Sequence, residues 1–310
     1  MMFKTFVRAL AFTAVVNAQS IVELLQQTPN LSTLLDLVDN YPDIVQALTT
    51  TPNITVFAPT NDAFAELLAA QPDLGNQPDT IKAVLQYHVA PSRIPAKAIP
   101  KRGTFAPTLL TNTSFSLVTG GQRVKAQRKG RRVTLTSGGG AESRVVTADV
   151  QFDNGGIVHI IDKVLTIPAD IASTATAANL TTLATALTQT NLLDTVNTLP
   201  DATVFAPTNE AFAALPEVPT GDALASVLTY HVVNGTVGYS TVLEQGQQIP
   251  TVNGASVRVT LAGPAIFINR SFVVQRDVLV KTGVVHVINR VLIPPAAGEA
   301  PAAPEGGHKL

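Results

Sequence analysis

The chain runs to 310 residues, of which 45% are hydrophobic and only 14% charged, with a formal net charge of −1. That length favours two domains with cores of their own, and the composition excludes both an acidic disordered chain and a strongly basic nucleic-acid binder. Cysteine is absent, which removes disulfide scaffolds, thiol nucleophiles and thiolate metal sites together.

Residues 1–18 read as a signal peptide. Lys4 and Arg8 supply the positive flank, Ala9 to Val16 form an apolar run too short to span a bilayer, and Val16, Asn17 and Ala18 resemble a small-residue cleavage site. Six Asn-x-Ser/Thr acceptors, Asn30, Asn53, Asn112, Asn179, Asn234 and Asn269, agree with secretion.

Leu31, Leu34, Leu35 and Val38 then form an apolar stripe at helical spacing, for a helix that Asn30 or Ser32 could start. Thr55 to Ala58 suit a short buried strand, Pro59 stops it, and Thr60 is placed to cap the next helix. Asp62 falls in that helix's first turn, where the dipole favours negative charge, and Phe64, Leu67 and Leu68 are its expected buried face. Ile81, Val84 and Leu85 mark a further helix running into Tyr87-His88.

The Val- and Thr-rich remainder of the first half reads as strands and turns. Six cations, Arg123, Lys125, Arg128, Lys129, Arg131 and Arg132, lie within an extension that the second half lacks. The alternation of Val133 and Leu135 with Arg132 and Thr134 suits a solvated hairpin that turns its cations outward. Gly138-Gly139-Gly140 lacks the further glycine and helix of a dinucleotide site and reads as a flexible turn. In Gly156 to Leu165, Ile157, His159 and Ile161 alternate onto one face, surrounding the imidazole with apolar neighbours.

The second half repeats these signals. Thr55-Val-Phe-Ala-Pro-Thr-Asn-Asp-Ala-Phe64 returns as Thr203-Val-Phe-Ala-Pro-Thr-Asn-Glu-Ala-Phe212, with Thr208, Asn209 and Glu210 in place of Thr60, Asn61 and Asp62. Tyr87-His88-Val89 returns as Tyr230-His231-Val232, and Gly156 to Leu165 as Gly283 to Leu292, with His286 for His159. Units this long are whole domains, not solenoid repeats. The boundaries read as 19–168 and 169–295, with a short linker near Ile167 to Thr176 and a disordered Ala/Pro/Gly tail over 296–310. That tail is not apolar, so neither a transmembrane helix nor a lipid-anchor signal is expected. Helices segregated from mostly antiparallel strands give an α+β class.

Taken together, the paired motifs and the central Tyr-His resemble those of the fasciclin domain, in both copies and over nearly the whole mature chain. The resemblance implies two tandem domains, each a β-sandwich or wedge decorated with helices. It also implies a secreted, non-catalytic protein of cell adhesion, matrix or cell-wall organisation. Tyr87, His88, Tyr230 and His231 are the adhesion candidates carried over from the family.

On their own chemistry, the same residues suit structural roles. Thr60, Asn61, Asp62, Thr208, Asn209 and Glu210 suit helix capping, and His159 and His286 suit hydrogen-bonded core positions. Tyr87-His88 suits either the fold or a contact surface. The basic stretch is a candidate for acidic polysaccharide, anionic lipid headgroups or an acidic protein. Lys and Arg number 13 against 12 Asp and Glu in the first domain, and 5 against 8 in the second. Two other readings stand beside adhesion: a binder of a small apolar molecule, and a divergent hydrolase using His88 with Asp62. No nucleophile elbow, zinc helix, phosphate loop or calcium loop is present, so no cofactor or metal is expected.

Overall fold

In the computed structural model, which describes residues 19–295, three helices lead the first half: α1 (Ile21–Gln26), α2 (Ser32–Asp39) and α3 (Pro42–Thr50). The expected leader and tail lie outside the described residues. Then come β1 (Thr55–Pro59), α4 (Asn61–Ala70), α5 (Pro78–Tyr87), β2 (Val89–Ala90) and β3 (Thr104–Pro107). β4 (Arg123–Lys129), β5 (Arg132–Thr136), β6 (Glu142–Gln151) and β7 (Ile157–Ile161) complete the domain. The second half repeats the order with α6 (Ile171–Ala177), α7 (Thr181–Gln189), α8 (Leu193–Thr198), β8 (Ala202–Pro207), α9 (Asn209–Ala213), α10 (Gly221–Tyr230) and β9 (Val232–Val233). β10 (Gln248–Pro250), β11 (Ser256–Ala262), β12 (Ala265–Ile268), β13 (Ser271–Val280) and β14 (Gly283–Ile288) follow.

Each domain is built on one seven-stranded sheet, ordered β2-β1-β7-β6-β5-β4-β3 in the first and β9-β8-β14-β13-β12-β11-β10 in the second. β1 and β7 pair in parallel, as do β8 and β14, while the other neighbours are antiparallel. The parallel pair is buried on both faces, as parallel strands generally are. Val56, Ala58, Val158 and Ile160 pack against the helices, whereas Phe57 and Ile161 face the core shared with β4 and β5. β6 joins the two layers: its start pairs with β5, and register shifts along its pairing with β7 let it bend. The result is a helix-decorated wedge with one core on each side of β1 and β7.

Eight residues of α2 would not hold alone in water, so packing stabilises it. Leu34 and Val38 are buried against the β1 side of the core, at roughly 1.5–3 kcal/mol for each such side chain. The apolar face expected on α4 is narrower than its spacing suggests. Ala63 and Phe64 are buried, but Leu68 is 44% exposed.

Three expectations about the junction need correction. The linker is shorter than expected, because Ile171–Ala177 forms α6, capped by Asp170. The basic stretch is not itself the extension, since β4–β5 has a counterpart in β11–β12. Much of the extra length lies just before it, in the loop 108–122, which replaces the short 251–255 turn. Gly138 is also not in a free turn: it is buried, donates to Thr166 O, and bridges to Leu279 of the second domain. A Cβ at Gly138 would lie 2.6 Å from Pro168 Cα, so only glycine fits there without movement.

The loop 108–122 clasps the second domain. Leu117 N donates to Lys281 O and Leu117 O accepts from Asp201 N, while Gln122 Nε2 donates to Val280 O. Thr119 donates from both its amide and its hydroxyl to the Asp201 carboxylate. Beside it, Phe105 stacks on Tyr239 with ring centroids 4.0 Å apart, in a small apolar cluster with Leu279 and Val284.

Candidate functional site

The repeated polar residues form a set of internal ties, each drawn twice. Tyr87, at the end of α5, is wholly buried and donates its hydroxyl to Arg123 O at 2.7 Å; Tyr230 does the same to Ser256 O at 2.9 Å. Each phenol therefore fastens the end of a helix to the first residue of a strand across the core.

His88 bonds at both ring nitrogens. Nδ1 lies 2.7 Å from Val84 O and Nε2 2.9 Å from the Leu165 amide. A carbonyl only accepts and an amide only donates, so the neutral Nδ1–H tautomer is fixed. His231 repeats the arrangement with Val227 O and the Leu292 amide. Burial lowers both imidazoles from the ordinary 6.5 to about 4, against the opposing pull of the carbonyl bond. Both stay neutral at physiological pH, tying the last turn of α5 or α10 to the chain that follows β7 or β14.

His159 and His286 take the other tautomer. Their Nε2 atoms lie 2.9 and 2.8 Å from Ile94 O and Gly238 O, and their Nδ1 atoms accept from the Asp149 and Asp277 amides. Burial lowers both pKa values below that of a free imidazole. Thr55 and Thr203 secure the same connecting segments, bonding Ser92 O with the Ile94 amide, and Thr236 O with the Gly238 amide.

The Thr-Asn pair caps two helices at once. Thr60 and Thr208 accept from the Ala63 and Ala211 amides at the starts of their own helices, α4 and α9. Asn61 reaches instead to α2, where its carbonyl oxygen accepts from the Thr33 amide and its amide donates to Pro29 O and Ser32 Oγ. Asn209 likewise accepts from Thr182 at the start of α7 and donates to Asn179 O. This corrects the expected start of α2: neither Asn30 nor Ser32 caps it, because Asn61, 28 positions after the Thr33 it bonds, does. Asp62 and Glu210 sit in first turns.

The adhesion candidates are therefore interior. Tyr87, His88, Tyr230 and His231 are 0–3% exposed, so the folded surface does not present them. Nor does His88 suit a hydrolase, since both its nitrogens are engaged with backbone. Among the described residues, no group of three or more His, Asp or Glu could hold a metal ion.

The cations divide into two groups. Arg123 and Lys125 are half-buried on the side of the domain junction, where Lys125 Nζ lies 2.7 Å from the Asp277 carboxylate. Ser240 supplies that carboxylate with two further hydrogen bonds. Burial opposes ionisation of Asp277, yet His286, Lys125 and Ser240 hold its pKa below the usual carboxylate range. Farther along, Arg128 donates to Ile99 O, while Lys129, Arg131 and Arg132 are exposed around a two-residue turn. Gly130 supplies the φ of 65° that this turn uses.

Five glycan acceptors, Asn30, Asn53, Asn112, Asn179 and Asn234, are exposed. Asn269 is 6% exposed and donates its amide to the Tyr230 hydroxyl, so it departs from the expected set. Sequence reading missed Phe105, Tyr239, Ser240 and Asp277. None lies in the contiguous runs that the two halves share, although Asp277 takes the place of Asp149 and Ser240 that of Ala96 in the fold.

Sheet order, wedge and duplicated ties define a tandem pair of one domain type. The chain belongs to the fasciclin domain family, whose model matches residues 29–168 and 178–294. It is 30% identical over 290 residues to the fasciclin-like arabinogalactan protein elcF of Phaeosphaeria nodorum, covering 92% of this chain and 91% of that one. It is 28% identical over 290 residues to a fasciclin-like arabinogalactan protein of Arthroderma benhamiae, covering 91% and 68%. A 156-residue stretch is 34% identical to human periostin, covering 47% of this chain and 18% of periostin. Among solved structures, a FAS1 domain pair from the insect cell adhesion molecule fasciclin I matches 86% of this chain and 98% of its own, at 20% identity and a TM-score of 0.41.

Proposed function

We propose that this is a secreted, non-catalytic protein of adhesion and of wall or matrix organisation, which meets acidic polysaccharide through the tip of the β4–β5 hairpin. One observation carries the reading. Lys129, Arg131 and Arg132 project together from a tight turn, whereas the Tyr-His pairs are sealed in the core. The corresponding β11–β12 hairpin holds Ala262 and Ala265 where the first domain has Lys129 and Arg132, so the contact belongs to the first domain. The kinship with fasciclin-like arabinogalactan proteins supports an extracellular setting.

A column of acidic polysaccharide tests it. The wild-type chain elutes at a defined salt concentration, and Lys129→Glu/Arg131→Glu/Arg132→Glu elutes earlier with its melting temperature unchanged, because exposed charges are screened within about 10 Å at 0.1 M salt. Equal retention of both proteins removes the hairpin from the function.

A further inference from the structure

Helices α2, α4 and α5 of the first domain do not close on one another. Between them lies a cavity of about 380 Å³ walled chiefly by Leu37, Tyr41, Phe64, Leu68, Leu74 and Ile81. We propose that this cavity is a binding site for a small, uncharged apolar molecule carrying one hydrogen-bonding group. The proposal is independent of the hairpin function.

Size comes first. The cavity falls in the range of small-molecule sites, about 300–1,000 Å³, and shares their apolar lining with a few polar groups. Chemistry narrows the class. No Asp, Glu, Lys, Arg or His lines the cavity, so a charged ligand would leave water without a counter-ion. The polar groups present are those of Thr33, Asn40 and Tyr41. The Tyr41 hydroxyl already donates to Pro78 O and one Asn40 N–H to Asp36 O, so the Tyr41 and Asn40 oxygens, the second Asn40 N–H and the Thr33 hydroxyl remain to meet one hydroxyl of a ligand.

The second domain shows that the fold does not demand such a wall. Asn61 caps Thr33 as Asn209 caps Thr182, which aligns α2 with α7 residue for residue. There the matching recess is about 260 Å³ and is lined by Thr182, Thr185 and Gln189 of α7 beside Phe212, Val218 and Leu224. Val218 is 46% exposed there as Leu68 is 44% exposed here, so what distinguishes the first domain is the larger recess and the apolar Leu37 where the aligned residue of α7 is Ala186. The segment 296–310 holds no large apolar residue except Leu310, so it offers little to fill the cavity.

Titration of the full chain with the neutral fluorophore N-phenyl-1-naphthylamine tests the site. The expected result is saturable one-site binding that 1-decanol displaces and decanoate at pH 7 does not. Leu68→Glu, at an exposed position, should weaken binding at least tenfold without moving the melting temperature. Gly75→Phe should do the same, because a Cβ there meets no atom within 4 Å and the residue lies on the cavity wall. Val218→Ser, in the second-domain recess, should change nothing. Absence of saturable binding, binding that Leu68→Glu leaves intact, or equal loss in Val218→Ser would overturn the proposal. Displacement by decanoate as effective as by decanol would overturn the uncharged class.

Discussion

Lys125 and Asp277 form the only ion pair between the two domains among the described residues, with Nζ and Oδ2 2.7 Å apart and side chains 13% and 1% exposed. The pair sits beside the Phe105–Tyr239 stack, so charge, aromatic packing and the loop 108–122 act at one junction. These contacts join the two wedges through side chains outside the runs of sequence that the halves share.

Removing one partner of this pair should cost far more than removing a surface charge. Lys125→Met leaves Asp277 buried without its cation, an effect of about 3–5 kcal/mol for pairs of this kind. Denaturant unfolding should show that loss, and small-angle scattering should show a broader distribution of domain separations. Lys82→Met, which breaks an exposed pair with Asp43, should change stability by less than about 1 kcal/mol. Similar effects from the two variants would contradict a structural junction.

Acid should destabilise the fold through His88 and His231. Each folded pKa, about 4, lies below the 6.5 of the unfolded chain, so the unfolded state binds more protons between those values. The stability conferred by the neutral rings is complete above pH 6.5 and is lost as pH falls from 6.5 through 4. The loss by pH 4 is on the order of 3 kcal/mol for each ring. Urea unfolding across this range should show the slope, and His88→Gln should flatten it while lowering stability at pH 7. An unchanged slope in that variant would assign the acid response to other groups.

Asn61→Ala should cost about 1–2 kcal/mol, the loss typical of a missing N-cap, although the helix it uncaps is α2 and not its own. Asn61→Asp keeps the acceptor for Thr33 but loses the donor to Pro29 O and Ser32, and should fall between the two. Hydrogen exchange should quicken at Thr33. Exchange that quickens only in α4 would refute the cross-helix cap.

The motifs made the domain count, strand-to-helix turns and buried histidines legible because they lie in short contiguous runs. The Asn61 cap was not legible, since its partners stand about 30 residues away and a Thr-Asn-Asp run reads most simply as capping its own helix. Leu68 likewise follows helical spacing yet lines an open cavity, because burial depends on how closely neighbouring helices approach. The junction was hidden for a similar reason: Lys125 looked like one of six cations, and only the tertiary fold separates it from Lys129.

Glycan occupancy should follow exposure. Peptide mapping of protein secreted from a glycosylating host should find sugar at Asn30 or Asn179 and none at Asn269, whose amide is bonded to the Tyr230 hydroxyl. Modified Asn269 in folded protein would contradict that bond.

If the fasciclin motif builds the domains while the hairpin meets the partner, one column run separates the two roles. Retention on acidic polysaccharide should be unchanged in Tyr87→Phe, which loses the hydroxyl bond to Arg123 O and about 1 kcal/mol of stability. It should be lost in Lys129→Glu/Arg131→Glu/Arg132→Glu, whose stability matches wild type. Retention lost in folded Tyr87→Phe and kept in the hairpin variant would contradict the account.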